Sequence, residues 1–225
     1  RRDVLGDAGA LVVGEPTANY PFVAHKGALW IEASTSGVTA HGSMPEMGVN
    51  AIYPAAHAVK KLQEFDFSLS DDPLLGKPTL NVGTISGGIN INSVPDKAAI
   101  GIDIRSISGQ SHETITNDLQ AWLGKDVFIR KLMDVPSVYT DPEHEWIQQV
   151  FDVMTPILAG RPIPRGVNYF TDASILTPAF GGIPTVILGP GEPHMAHKTD
   201  EYCLVSRIEQ AVEAYTEIAR RWCGM

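Results

Sequence analysis

Cysteine is scarce in this 225-residue sequence, and the only two, Cys203 and Cys223, form no spaced framework of the kind that staples small secreted domains. We therefore expect a reducing compartment, and the predicted location is cytoplasmic. Long apolar runs are also missing, since none exceeds four residues. A membrane-spanning helix needs about 20, so the sequence predicts no membrane partner.

Positive charge is in deficit as well. The 17 Lys and Arg residues face 26 Asp and Glu residues, which gives a net charge of −9. A nucleic-acid groove or an anionic membrane surface calls for the opposite balance, so the sequence predicts no nucleic-acid partner. The hydrophobic share of 44% and the charged share of 19% are typical of a globular protein with a buried core.

Compact catalytic signatures are absent too. The sequence contains no HExxH, no paired CxxC, no G-x-S-x-G elbow and no G-x-x-x-x-G-K phosphate loop. Any active site must therefore be assembled from residues that are distant in the chain.

The middle of the chain predicts a self-contained α/β unit. Alternating apolar residues predict strands at 26–36, 80–85, 98–104 and 125–132, and helical spacing predicts helices at 50–65 and 112–123. Ser111 is the predicted N-cap of the second helix. The resulting order, β-α-β-β-α-β, is that of the ferredoxin-like split βαβ arrangement.

The flanking segments predict a second α/β layer. It contains strands at 10–13 and 184–188 and helices at 143–158, from 171 onward and at 205–222, the last with Ile208, Val212, Tyr215 and Ile218 on its inner face. We therefore predict a discontinuous domain, 1–24 plus 135–225, interrupted by an inserted domain, 25–134. An apolar strand at 10–13 is typical of a sheet interior, so we expect a segment upstream of Arg1 to belong to this layer.

Two residues of the discontinuous domain stand where ligands bind. Glu15 follows the strand at 10–13, and its carboxylate suits a metal, a substrate or the N-terminus of a helix. His197 lies in a loop before the last helix, where an imidazole is either a zinc ligand or a surface residue. Taken singly, neither residue decides between these alternatives.

The inserted domain carries three further candidates. His41 lies in a glycine-containing loop, Asn92 in a polar segment between two strands, and Arg105 at the end of a strand. Each also has an ordinary structural explanation: a hydrogen-bonding histidine, a turn residue and an edge cation. Their order along the chain is more informative than any one of them.

The motifs GEPT, TAHGSMPEMGVNA, GGININSVPDKA, DIRS, TDA and GPG…AHKTDEY occur in that order and span essentially the whole chain. Together they resemble the co-catalytic zinc aminohydrolase and peptidase family, which includes acetylornithine deacetylase, succinyl-diaminopimelate desuccinylase, aminoacylase and carboxypeptidase G. The resemblance implies a zinc-peptidase-like α/β catalytic domain interrupted by a ferredoxin-like dimerisation or lid domain. It also implies a homodimer formed through that lid.

The resemblance assigns a role to each candidate. Glu15 matches the ligand of one of two zinc ions and His197 the ligand of the other. His41 matches the lid histidine that reaches the partner subunit's site and polarises the scissile carbonyl. Asn92 and Arg105 match contacts to the substrate carboxylate. Thr171, followed by Asp172, lies where the family has a substrate-lining loop.

The same resemblance implies that further metal ligands and the general base lie upstream of Arg1. The implied activity is hydrolysis of an N-acyl amino acid or small peptide amide, and the 225-residue chain alone is expected to bind zinc weakly and to be inactive. The alternative hypothesis is a non-catalytic dimerisation or binding protein derived from this family. Retention of Glu15, His41 and His197 favours the enzyme, because a pure dimerisation protein does not need them.

Overall fold

The computed structural model describes residues 6–225, which form two compact units. The discontinuous unit comprises the chain up to Lys26, the short segment Asp72–Leu75 and Ser137–Met225. The inserted unit comprises Gly27–Asp71 and Gly76–Pro136. The excursion of Asp72–Leu75 into the discontinuous unit was not predicted, because a four-residue segment carries no periodic signal.

Residues 6–225 contain eleven strands and five α-helices. The strands are β1 (Leu11–Val13), β2 (Ala24–His25), β3 (Ala28–Ser36), β4 (Ala40–His41), β5 (Thr79–Gly87), β6 (Ser93–Val94), β7 (Lys97–Arg105), β8 (Phe128–Val135), β9 (Val138–Tyr139), β10 (Gly166–Val167) and β11 (Thr185–Ile187). The α-helices are α1 (Ile52–Gln63), α2 (His112–Leu123), α3 (Glu145–Ile157), α4 (Ala173–Ala179) and α5 (Val205–Trp222). Single turns of 3₁₀ helix lie at Pro45–Met47 and Pro193–Met195.

The inserted unit is built on a four-stranded antiparallel sheet with the strand order β5-β7-β3-β8. The helices α1 and α2 supply the two connections that complete the order β-α-β-β-α-β. The predicted mixed α/β class and the ferredoxin-like insertion are therefore confirmed.

Side-chain alternation explains why this sheet forms. Along β3, Leu29 and Ile31 are fully buried, whereas Trp30 between them points away from the core and is 37% exposed. Ser111 begins α2 as predicted, since its hydroxyl accepts a hydrogen bond from the backbone N–H of Thr114 at 3.4 Å. The core side chains shared by the sheet and the two helices include Ala33, Ala55, Ala58, Leu62, Ile100, Ile102, Ile104, Ile115 and Leu119.

The discontinuous unit pairs the first described strand with the last. Strands β1 and β11 are parallel, with Leu11 opposite Thr185 and Val13 opposite Ile187. A second small sheet has the order β10-β2-β9. Helices α3 and α5 pack with these strands around one apolar cluster, which includes Val23, Trp146, Ile147, Val150, Phe151, Met154, Val186, Leu188, Ala214 and Ile218.

The inner face of α5 differs from the prediction. Ile208 and Val212 are 46% and 62% exposed, whereas Ala211, Ala214 and Ile218 are buried. The pattern of large apolar residues gave little weight to the alanines, whose small side chains face the core on this helix. Although α5 has 18 residues, no helix within residues 6–225 is both long and apolar enough to cross a membrane.

Candidate active site

Two loops meet where the parallel strands β1 and β11 end. Thr17 joins them, because its hydroxyl donates to the carbonyl oxygen of Gly189 at 3.1 Å and accepts from the Gly189 N–H at 3.0 Å. A Cβ at Gly189 would lie 2.3 Å from the carbonyl oxygen of Glu15, so this close approach requires glycine. Glu15 is thereby held at the carboxyl edge of the strands, where α/β proteins bind ligands.

Glu15 is surrounded by groups that act on its charge. Burial raises the pKa of its carboxyl group above 4.5, the carboxylate of Asp172 raises it further, and His197 opposes the rise. A carboxylate destabilised by burial and by a like charge gains most from a bound cation. Oxygen and nitrogen ligands of this kind suit zinc, so the chemistry of the three side chains fits a divalent metal.

Glu15, Asp172 and His197 nevertheless do not form a complete metal site. Across residues 6–225, no three His, Cys, Asp or Glu side chains come together as a group that could hold a metal ion. A catalytic zinc ion takes about three protein ligands. Glu15 and His197 supply donors of the right kind, but they do not complete such a site by themselves.

His197 lies on a loop with an unusual backbone. Its φ angle is 63°, and Asp200 in the same loop has a φ of 61°. Left-handed backbone is disfavoured for residues with a Cβ, and such positions are concentrated at functional sites. The loop is fastened by Glu201, whose carboxylate accepts the His197 N–H at 3.1 Å, and by Glu192, which accepts from Arg207 at 2.9 Å.

Thr171 has a clear structural task at the start of α4. It is 4% exposed, and its hydroxyl accepts a hydrogen bond from the backbone N–H of Ala173 at 3.1 Å. Asp172 follows it, is exposed, and forms the N-cap position of α4. Of this pair, Asp172 is the residue whose charge acts on Glu15.

Tyr169 is a site residue that the sequence did not indicate. Its hydroxyl oxygen is buried and has no hydrogen-bond partner among the described residues. Burial raises the pKa of this hydroxyl, and the charge of Glu15 raises it further. The residue precedes the TDA motif by only two positions, but a lone tyrosine carries no spacing signal.

The structure brings His41 and Asn92 together in the inserted unit. Strands β4 and β6 pair with His41 opposite Ser93, and the Gly42 N–H donates to the carbonyl oxygen of Asn92 at 2.7 Å. A Cβ at Gly42 would lie 2.9 Å from that same oxygen, so the close approach of the two segments requires glycine here. Both candidate side chains thus start from one small two-stranded ribbon.

Arg105 lies at the end of the inserted unit opposite to His41 and Asn92. Asn92 lies near the start of β7, which begins at Lys97, and Arg105 is the last residue of that strand. Nine residues of strand span roughly 26 Å from first to last. Within one inserted unit, Arg105 therefore cannot touch the same small ligand as His41. Its guanidinium is held by the carboxylate of Asp103, with Nε 2.9 Å from Oδ1.

A Ser-His-Asp hydrogen-bond chain also occurs in the inserted unit. The Ser106 hydroxyl lies 2.7 Å from Nε2 of His112, whose Nδ1 lies 2.6 Å from the Asp134 carboxylate. Ser106 is fully buried, so its oxygen is closed to a substrate and cannot act as a nucleophile. These hydrogen bonds instead link His112, the first residue of α2, to the ends of β7 and β8.

The hydrogen bonds among Ser106, His112 and Asp134 predict an acid-sensitive contribution to stability. Burial alone would raise the pKa of Asp134, but hydrogen bonds from Lys131 and His112 outweigh it and hold the pKa below 3.8. The stabilisation is therefore present above 3.8 and is lost as the pH falls through the lowered folded-state value. We expect Asp134→Asn to lower the free energy of unfolding at neutral pH by about 1 kcal/mol, a value discounted for partial exposure.

Urea unfolding from neutral pH downward measures this difference. The wild-type and Asp134→Asn curves should converge as the pH falls, because a protonated Asp134 has lost the same charge. Asp126→Asn, at an exposed turn position of the same unit, is the matched control and should leave stability unchanged. A wild-type advantage that stays constant into acid would contradict the prediction.

The inserted unit matches a known domain family. Residues 23–128 match the peptidase dimerisation domain of the M20 family. The chain is also similar to acetylornithine deacetylases, with 28% identity to that of Vibrio vulnificus and 29% to that of Salmonella arizonae. Each alignment covers 94% of this chain but only 57% and 56% of the relative, respectively. The chain thus spans little more than half the length of the curated relatives it matches.

Solved structures extend the similarity to both units. Aminopeptidase PepT from Bacillus cereus superposes with a TM-score of 0.74 at 22% identity, covering 97% of this chain and 58% of that one. The M20 metallo-carboxypeptidase Sso-CP2 from Sulfolobus solfataricus gives 0.73 at 15% identity, covering 96% and 64%. The fold and site thus define an α/β protein with an inserted peptidase dimerisation domain. Residues 23–128 carry the M20 peptidase dimerisation domain, and the chain as a whole is similar to acetylornithine deacetylases and, in its fold, to M20 peptidases.

Proposed function

We propose that this chain is the C-terminal part of a zinc-dependent amidohydrolase that cleaves an N-acyl amino acid or a small peptide amide. The observation that carries the proposal is the position of Glu15 at the carboxyl edge of β1 and β11, where the charges of Asp172 and His197 act on its carboxylate. The acetylornithine deacetylase relatives support an N-acyl substrate, and the peptidase neighbours support an amide bond in general.

In this proposal Glu15 and His197 each hold one of two zinc ions, and the remaining ligands and the general base come from an upstream segment. A bound metal pair supplies Lewis-acid activation of water and of the scissile carbonyl. Asp172 adds negative charge that favours a cation beside Glu15.

All but one of the proposed substrate contacts come from the inserted unit, the exception being Thr171 of the discontinuous unit. His41 donates a hydrogen bond to the oxygen of the amide as negative charge develops on it. Arg105 binds the substrate carboxylate through its planar guanidinium, with Asn92 and Thr171 as further contacts. Because His41 and Arg105 lie at opposite ends of β7, one inserted unit cannot present both to one small substrate. This separation supports a site to which the partner subunit contributes His41.

A second candidate function is a non-catalytic dimerisation or binding protein derived from this family. The observation in its favour is that residues 6–225 contain no complete group of three metal ligands. The two functions differ in what an upstream segment must contain. An H-x-D segment and a Glu-Glu pair encoded upstream of Arg1 would support the amidohydrolase, whereas a start codon directly before Arg1 would support the binding protein.

We expect the 225-residue chain to bind zinc weakly and to show no measurable amide hydrolysis, because Glu15 and His197 leave each metal with too few protein ligands. Zinc titration by calorimetry and a hydrolysis assay with N-acetyl amino acids measure both properties. Glu15→Gln should weaken the residual zinc binding further, whereas Glu209→Gln, at an exposed position on α5, should leave it unchanged. Robust metal-dependent turnover by this chain would show that our assignment of missing ligands is wrong.

We also expect a homodimer formed through the inserted unit, residues 25–134. Both edge strands of its sheet carry exposed apolar side chains, Ile85 on β5 (54%) and Leu132 on β8 (52%). Open edges of this kind invite pairing with another chain. Sedimentation velocity at tens of micromolar, an order-of-magnitude choice for a tight dimer, should give the dimer mass.

Lysine substitution identifies which edge is used, because a charged side chain blocks pairing between edges. Ile85→Lys and Leu132→Lys serve as controls for each other, and only the variant at the paired edge should sediment as a monomer. A wild-type monomer at that concentration would count against the dimer.

A further inference from the structure

The imidazole of His41 is engaged by a neighbour two residues along the chain. Nδ1 of His41 lies 2.7 Å from the hydroxyl oxygen of Ser43, and the backbone N–H of Ser43 donates to the same Nδ1 at 3.2 Å. The turn that carries both residues is closed by the Met44 N–H, which donates to the His41 carbonyl oxygen at 2.9 Å. Among the described residues, none is hydrogen-bonded to Nε2 of His41.

The backbone amide decides how these bonds are arranged. An N–H group can only donate, so Nδ1 must offer its lone pair and carry no proton. The Ser43 hydroxyl reinforces this by donating to the same nitrogen, and the single proton of the neutral ring is left on Nε2. The free nitrogen of His41 is therefore the one that bears the hydrogen-bond donor.

We infer that Ser43 is a positioning residue that holds His41 as the Nε2–H tautomer and orients that donor outward for a substrate oxygen. The inference rests on the proposed function in its last step only, where the Nε2–H group meets the amide oxygen. A histidine held as the Nδ1–H tautomer would present a lone pair there and would repel the developing negative charge. Ser43 thus favours, through its amide and its hydroxyl, the tautomer in which His41 acts as a donor.

The anchoring of the turn makes this arrangement specific. Gly42 lies against the Asn92 backbone, with its N–H 2.7 Å from the Asn92 carbonyl oxygen. Strand β4 ends at His41, so the ring is carried by a paired residue on one side and a closed turn on the other. Ser43 itself is exposed and makes no other described hydrogen bond from its side chain, so its substitution leaves the core unaltered.

The first test is the tautomer of His41, observed by two-bond ¹⁵N–¹H correlation NMR of the ring nitrogens in the 225-residue chain. We expect the Nε2–H form in the wild type at a pH where the ring is neutral. Ser43→Ala should lower the ratio of Nε2–H to Nδ1–H by about threefold, the effect of one exposed hydrogen bond. Ser43→Thr keeps a hydroxyl and should restore the ratio, and Ser70→Ala, at an exposed loop serine of the same unit, should leave it unchanged.

A wild-type ring found as the Nδ1–H tautomer, or a ratio that Ser43→Ala does not change, would overturn the inference. The second test is kinetic, in the protein extended by its upstream segment. Ser43→Ala should lower kcat by up to about threefold with KM unchanged, because the Nε2–H fraction cannot fall by more than the tautomer ratio does. Ser43→Thr should recover it. If Ser43→Ala shifts the tautomer but His41→Ala leaves kcat intact, the proposed role of His41 has failed while the tautomer assignment stands.

Discussion

Substitution of His41 by alanine is expected to lower kcat of the proposed amidohydrolase, assayed with its upstream segment, by roughly 10²–10³-fold, the cost of removing one donor aimed at a developing oxyanion. KM should change little, because ground-state binding rests on Arg105, Asn92 and the metals rather than on His41. His41 affects kcat rather than KM because the amide oxygen gains most of its negative charge only in the transition state. Steady-state kinetics with an N-acyl amino acid measures both parameters.

Two controls separate this effect from damage to the fold or to the metal site. Zinc content should be the same in His41→Ala and the wild type, because His41 is proposed as a hydrogen-bond donor and not as a ligand. His57→Ala removes an exposed imidazole on α1 of the same unit and should leave kcat unchanged. A rise in KM with kcat intact would assign His41 to substrate binding instead.

The inserted unit could be predicted from the sequence because its signals are long. Strands β3 and β7 each have nine residues, in which buried and outward side chains alternate from Leu29 onward in β3 and throughout β7. Helix α2 has a capping serine before an apolar stripe. The two-residue strands β4 and β6 could not be predicted, since no periodicity exists over two residues. Yet this short ribbon is what brings His41 and Asn92 together.

The candidate site, too, could be predicted from the sequence only in part. Glu15 could be singled out because it follows an apolar strand, and His197 because the motifs that resemble the family end with it. The proximity of Asp172 to Glu15 depends on how α4 packs in the discontinuous unit, and the buried Tyr169 hydroxyl depends on the burial of one side chain. Neither feature produces a recognisable residue spacing in the sequence. The separation of Arg105 from Asn92 is also a tertiary fact, although the nine-residue length of β7 already implies it.

Mixing two inactive variants is expected to restore activity if His41 acts on the partner subunit. In a heterodimer of Glu15→Ala and His41→Ala subunits, one site combines a wild-type Glu15 with the partner's wild-type side chain at position 41, and the other site lacks both. Equal mixing makes about half of the dimers heterodimers, each with one intact site of two, so about a quarter of wild-type activity should return. The two parents should remain nearly inactive alone.

A reciprocal mixture makes the test decisive. When wild-type subunits are mixed equally with the double variant Glu15→Ala/His41→Ala, every heterodimer lacks an intact site if His41 crosses between subunits, and activity should fall to about a quarter. If His41 acts within its own subunit, each such heterodimer keeps one intact site and about half of the activity remains. In that case the first mixture stays inactive although heterodimers form. Mass-tagged subunits, with heterodimers counted by native mass spectrometry, establish that exchange is complete before the rates are compared.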